Sequence, residues 1–191
     1  MMSHKTDTRE KILITASRLF KVHGYYATGL NDILKESGAP KGSFYYHFPD
    51  GKDELALEAI RRMSQNIQQQ IENVLMEVAD PALAFQNFVR QLATKVLQED
   101  ELYYSISILA LETCFTHEPL RLACAEAFQS WQKIFEKKLI QSGLAQESAC
   151  ELSIIIQSMI EGANILAVTT KDSTPLLRIA DAMPTIIQAR L

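Results

Sequence analysis

The chain has 191 residues, 47% of them apolar, 8% aromatic and 22% charged, with a formal net charge of −4. That is enough apolar material for a sizeable core, in one domain or in a small domain joined to a larger one. Only seven glycines and six prolines punctuate it, which favours long helices over many short strands and points away from β architectures. The charge is unevenly spread. Residues 1–52 carry a net +3 and residues 53–191 a net −7, so a mildly basic head precedes an acidic body. The start of the chain, Met1 to Asp7, is polar and lacks the apolar stretch of a secretory signal. No uncharged apolar run reaches the ~18 residues expected of a membrane span. A cytoplasmic location and no membrane partner are therefore expected.

In chain order, Asp7 followed by Glu10 reads as a capping box. Ile12, Leu13, Ala16, Leu19 and Phe20 then recur at helical spacing, which predicts a helix over 8–23 with Gly24 just past its end. A short connection over 25–29 places Thr28 near the start of the next helix, where Leu30, Ile33 and Leu34 form a brief amphipathic face that stops at Gly38. Ala39-Pro40 makes a turn, and Pro40 suits the first turn of a following helix.

That helix, 41–48, is the most informative stretch. At about 100° per residue, Phe44 and Phe48 fall on one face. Gly42 and Tyr46 point the opposite way, flanked by Ser43, Tyr45 and His47, with Lys41 at the start. The apolar face anchors. The other offers bare backbone, hydroxyls, an imidazole and an ammonium, a set suited to the backbone and grooves of a polyanion. A surface helix with two chance tyrosines is the plain alternative. Three short helices with a tight glycine-containing turn between the second and third form a helix-turn-helix, and their apolar residues converge on a small shared core.

The residues of this segment resemble the DNA-binding domain of the TetR family of bacterial transcriptional regulators over 9–57. The resemblance is carried by Arg9-Glu10-Lys11-Ile12-Leu13, Ala16, Leu19-Phe20, Gly24-Tyr25, Ala27-Thr28, Ile33, Gly38, the run Lys41 to Phe48, and Lys52 to Leu55. The string from Gly38 through Lys52 is most similar to the LmrA/YxaF-like branch. Three positions depart from the common pattern: Pro40 replaces a Ser or Thr cap, Gly29 stands where a second Thr or Ser is common, and Pro49-Asp50-Gly51 is one residue longer than the frequent turn. The resemblance implies that 41–48 enters the major groove of double-stranded operator DNA. Lys41, Gly42, Ser43, Tyr45, Tyr46 and His47 are then candidates for groove and phosphate contacts, with Thr28 and Lys52 as flanking phosphate clamps. For Tyr45 partial packing in the head stays open, and for His47 a role in capping its own helix.

A long helix begins near Lys52 and runs to about residue 79, with Leu55, Ala59, Ile60, Met63, Ile67, Ile71, Val74 and Val78 at three- and four-residue steps. Asp80-Pro81 breaks the chain and caps a helix over 81–98. Further helices are predicted over 101–116, 118–142 and from Gln146 to about Thr170, with a last one from Thr174. The expectation is an all-α fold of about nine helices. An N-terminal helix-turn-helix domain, 1–52, is joined by the long helix to a C-terminal helical domain, 53–191, for effector binding and dimerisation.

The stretch from Ser153 to Ala167 is apolar on nearly every side and should be buried all round, against its own core or a second subunit. The family resemblance implies a homodimer built on the last two long helices, whose two heads read inverted half-sites. It also implies a small, largely apolar or aromatic effector and, most commonly, repression relieved by that effector. The candidate effector contacts are Met63, Phe88, Tyr104, Ile108, Glu112, Trp131, Phe135 and Met159, in a body whose aromatic content suits a mostly apolar pocket. Most body aromatics would be ordinary core. Glu112 and Glu161 could each bond a ligand or project into solvent.

Catalysis is not expected. His4, His23, His47 and His117 form no metal-ligand spacing, and there is no nucleophile elbow or glycine-rich phosphate loop. Cys114, Cys124 and Cys150 fit neither a disulfide framework nor a zinc pattern. No metal or cofactor is anticipated. A helical adaptor that binds proteins through its apolar body is the other rival reading.

Overall fold

The computed structural model describes residues 3–98 and 106–190, with side chains from Thr8 onward. Among the described residues there are nine α-helices and no strand: α1 Ser3–Ala27, α2 Leu30–Ser37, α3 Lys41–His47, α4 Lys52–Glu77, α5 Pro81–Lys95, α6 Ser107–Thr113, α7 Glu118–Gln141, α8 Gln146–Thr170 and α9 Thr174–Gln188. They divide into two compact units. One comprises Met1–Gln65 with Ile106–Ala127, the other Asn66–Ser105 with Phe128–Leu191. Helices α4 and α7 each give their first part to the first unit and the remainder to the second.

In the first unit, Ile12, Leu13, Ala16, Leu19 and Phe20 of α1 are all buried, as their spacing requires, together with Ile33 of α2, Phe44 of α3 and Phe48. Two local expectations change. Helix α1 starts at Ser3, which puts Asp7 inside the helix rather than at its cap. The helix is interrupted at Gly24, with φ 76 and ψ −179, and the chain then makes a further short turn to Ala27. A side chain is strained at that φ, so the glycine is what lets the chain turn there. Gly38 closes α2 in the left-handed conformation, φ 66, and Pro40, at the entry of α3 in the place of the common Ser or Thr cap, adopts the extended geometry of its N-cap. Two reciprocal ion pairs join α1 and α4, Arg9 with Glu58 and Arg62 with Glu10. The start of the expected helix over 101–116 lies outside the described residues, and its later part is the short α6.

In the second unit, Asp80 caps α5 by accepting from the Leu83 N–H at 2.8 Å, with Pro81 in the first turn. Helices α5 and α9 pack against each other, and Ala84, Phe85 and Phe88 of α5 and Leu176, Ala180, Met183 and Ile187 of α9 are buried. Helix α8 is long and apolar enough by composition to cross a membrane, yet it packs against α9 and buries Leu152, Ile156, Ile160, Ala163 and Ala167. Ile154, Ile155, Ile165 and Leu166 of the same helix stay exposed, so within one chain it is not buried all round as its composition predicts.

Pro184 sits inside α9 and has no N–H for the carbonyl of Ala180 one turn earlier. Gln86 of α5 supplies the missing donor, its Nε2 lying 3.2 Å from the Ala180 oxygen. A buried carbonyl left without a donor costs about 1–3 kcal/mol. Gln86→Ala is expected to destabilise the protein by roughly 1–2 kcal/mol in urea unfolding. In a Pro184→Ala background, where α9 regains its own donor, that cost should shrink to a few tenths (~0.3 kcal/mol).

Candidate functional site

Phe44 and Phe48 are fully buried, with ring centroids 5.6 Å apart, and the Arg9 guanidinium lies 5.2 Å from the Phe48 centroid. These two rings set the rotation of α3 about its axis. The opposite side of the helix is exposed: Tyr46 is 67% exposed and Tyr45 46%, Lys41 and Gly42 are exposed, and Ser43 and His47 are half-buried. The Tyr46 and His47 rings meet edge to face at 5.0 Å, and Tyr45 packs on Phe44 in the same way. A Cβ added at Gly42 would meet nothing within 4 Å. Glycine here is therefore not required by the protein's own packing, although it weakens a helix by roughly 0.5–1 kcal/mol relative to alanine.

The two expected flanking residues are placed differently. Thr28 is 2% exposed, and its hydroxyl is shared between the carbonyls of Gly24 at 2.7 Å and Leu19 at 3.3 Å. It shapes the turn after α1 from the inside. Lys52, in the first turn of α4, donates to the carbonyls of Tyr25 at 3.0 Å and Thr28 at 3.2 Å, and its ammonium lies 4.0 Å over the Tyr25 ring. Two of its three N–H donors are thus spent on this turn, and burial of the ammonium lowers its pKa.

The same turn takes a set of contacts from α6 and from the short segment that joins it to α7. The Glu112 carboxylate accepts from the Tyr25 N–H at 2.6 Å, and a Cβ at Gly24 would fall 2.3 Å from that carboxylate. Tyr26 donates its hydroxyl to Thr116 Oγ1 at 2.8 Å. The Tyr25 hydroxyl donates to Asp53, whose other oxygen lies 2.9 Å from His117 Nε2. Burial, and then the Asp53 hydrogen bond, raise the Tyr25 pKa. The bond from Tyr25, followed by that from His117, holds Asp53 below its ordinary value. Glu112, expected as an effector contact, is thus a structural link between α6 and the end of α1.

A narrow apolar cleft lies within the second unit. It is lined by Ile67 and Ile71 of α4, Phe88 and Leu92 of α5, Trp131 and Phe135 of α7, and a partly polar stretch of α8: Gln157, Ile160, Glu161 and Asn164. Of the expected effector contacts, Phe88, Trp131 and Phe135 come together here. Met63, Ile108 and Glu112 belong to the first unit, where Met63 is core and Ile108 is exposed. Met159 is on α8 but does not line the cleft, and Tyr104 lies outside the described residues. Aromatic content alone does not single out the polar side of this cleft. Its signal is a different one: Gln157, Glu161 and Asn164 recur at steps of four and three on an otherwise apolar helix.

Residues 12–59 match the family model for the N-terminal domain of the tetR family of bacterial regulatory proteins, and residues 81–182 match that for the C-terminal domain of LmrA/YxaF-like transcriptional regulators. The chain belongs to the TetR family. It is 46% identical to the HTH-type transcriptional regulator LmrA of Bacillus subtilis over 95% of this chain and 97% of that protein. It is 45% identical to YxaF of the same organism, an uncharacterised regulator, over 99% and 100%. Among solved structures, a TetR transcriptional regulator from Chloroflexus aurantiacus superposes with a TM-score of 0.85 at 25% identity, covering 99% of this chain and 98% of that one. Escherichia coli NemR in its reduced form shares the fold, with a TM-score of 0.83 at 20% identity over 94% and 96%. Within this TetR-family regulator, α1 to α3 are the helix-turn-helix module, and the long α4 comes next in the chain.

The Asp53 contacts carry a pH dependence whose sign follows from its lowered pKa. The contribution is present above the ordinary carboxylate value of 3.8 and is lost as pH falls through the lower folded-state value. Asp53→Asn should therefore lose stability at neutral pH and show a smaller further loss than the parent on acidification from about pH 6 to about pH 3. Urea midpoints at the two pH values measure both effects.

Proposed function

We propose that this regulator represses transcription by binding an operator with inverted half-sites as a homodimer in the cytoplasm, and that a small, largely apolar or aromatic effector releases it. The observation that carries the DNA-reading part is α3: two sunken phenylalanines fix its rotation, and a glycine that its own packing does not need faces outward beside Lys41, Ser43, Tyr45, Tyr46 and His47. A bare backbone at Gly42 permits close approach to the groove, and the surrounding hydroxyls, imidazole and ammonium supply donors to phosphates and base edges. Lys52 and Thr28 support this face by fixing the turn between α1 and α2, and Lys52 retains one N–H donor for a phosphate. On this reading, residues 1–52 form the DNA-binding domain and 53–191 the effector-binding and dimerisation domain; the N-terminal family model runs on to residue 59 and the C-terminal one begins at residue 81.

Dimerisation is supported by apolar side chains left exposed on α8 and α9, namely Ile154, Ile155, Ile165, Leu166 and Leu177. Effector binding is supported by the cleft that gathers Phe88, Trp131 and Phe135. Two heads related by a two-fold axis read half-sites about one helical turn apart or wider, so a shift in their separation takes one out of its groove. The effector drives that shift only through unequal affinity for the two conformations.

The direct test is a gel-shift with the promoter beside the regulator's own gene, at stated salt because phosphate contacts make affinity strongly salt-dependent. Sequence-specific retardation is expected; none at low salt would favour a helical adaptor. Two substitutions sharpen it. Gly42→Ala should leave folding unchanged or slightly stabilised, by up to ~1 kcal/mol, while weakening operator binding at least tenfold. Tyr46→Ala should weaken operator binding with the fold retained by circular dichroism, and unchanged affinity would remove Tyr46 from the DNA-facing set.

A further inference from the structure

The cleft of the second unit contains two polar groups that its own packing does not satisfy. Gln157 is 6% exposed and Asn164 is 9% exposed, and the side-chain oxygens Gln157 Oε1 and Asn164 Oδ1 have no hydrogen-bond partner among the described residues. Both residues line the cleft, surrounded by Ile67, Ile71, Phe88, Leu92, Trp131 and Phe135. A buried amide with an unpaired end is costly, and native interiors rarely tolerate one without a use for it. Two on one helix face in one cleft are harder still to attribute to packing.

Their spacing defines what would satisfy them. Seven residues separate them, two helical turns, or roughly 10 Å along α8 at 1.5 Å per residue. A single water cannot bridge that span. The cavity volume in this structure is about 30 Å³, room for a water-sized occupant, whereas an aromatic ring occupies an engineered apolar cavity of about 150 Å³. A larger occupant therefore has to part the cleft walls. Glu161, four residues after Gln157 and three before Asn164, also lines the cleft.

Resting on the reading of this cleft as the effector site, we propose that Gln157 and Asn164 are its specificity-determining pair. They select an elongated, uncharged aromatic molecule with a hydroxyl or N–H group at each end, lying along α8. A hydroxyl both donates and accepts, so it satisfies an amide in either orientation of that amide. The aromatic walls supply the apolar burial between the two ends.

Trp131 is the single tryptophan of the chain and lines the cleft, so its fluorescence reports occupancy directly. Three probes on the full-length protein test the proposal: biphenyl, biphenyl with one terminal hydroxyl, and biphenyl with a hydroxyl at each far end. The dihydroxy probe is expected to bind at least tenfold more tightly than the monohydroxy one. Gln157→Met and Asn164→Leu, which keep side-chain volume, should each bring the dihydroxy probe down to monohydroxy affinity, leave biphenyl binding unchanged or tighter, and raise the melting temperature. Equal affinity of the three uncharged probes for wild type, or discrimination that survives both substitutions, overturns the proposal while biphenyl binding leaves the effector cleft standing. A raised melting temperature without a change in discrimination overturns it too, by making the amides merely structural. No fluorescence change with any probe overturns both the proposal and the effector cleft.

Discussion

At the end of α1 the Glu112 carboxylate occupies space that a side chain at position 24 would need, and it accepts a hydrogen bond from the N–H of Tyr25. Gly24 meets two demands at once, a left-handed φ and the absence of a Cβ. Around that point, Lys52 gathers the carbonyls of Tyr25 and Thr28, Asp53 takes the Tyr25 hydroxyl, and Thr28 returns its own hydroxyl to the backbone it follows. The path of the chain from α1 into the helix-turn-helix is therefore set jointly by the start of α4 and by α6. Any shift of α6 must act on a backbone amide rather than on a flexible side chain, and a backbone has little freedom to absorb it.

The helix-turn-helix itself follows a simpler logic. Phe44 and Phe48 fasten a seven-residue helix that could not hold its shape alone, and by fixing its rotation they decide which residues face outward. Within the outward set Gly42 stands apart, as a residue that weakens the helix and fills no space. Local consistency gives way at such a position when something outside the chain has a claim on it.

The second unit shows the same tension in its interior. Helix α8 is apolar enough to pass for a membrane span, yet it carries Gln157, Glu161 and Asn164 along one stripe that meets the aromatic walls of α5 and α7. Close by, Gln86 shows how this protein treats a polar group that does belong to its packing: the carbonyl left over by Pro184 is given a donor from a neighbouring helix. The contrast with the unpaired amides of the cleft is what separates structure from site.

The helix pattern, the helix-turn-helix and the family are legible in the unfolded chain, because apolar spacing, glycine and proline positions and the residues from Lys41 to Phe48 are local signals that each helix expresses alone. The burial of Phe44 and Phe48 is legible in the same way, since two large rings four residues apart can share one buried face. Polar side chains whose partners are distant in the chain acquire their roles only when the helices pack. Glu112 reads equally well as a ligand contact or a surface residue until α6 is laid against the end of α1, 87 residues earlier. Thr28 reads as a phosphate clamp until the turn is folded around its hydroxyl, Lys52 reads as free to give every donor to phosphate until that turn takes two of them, and Gln157 and Asn164 read as minor interruptions of an apolar helix until the aromatic walls close over them. Burial of an apolar side chain depends mainly on which face of a helix it occupies, whereas the role of a polar one depends on whether a specific partner arrives within about 3 Å.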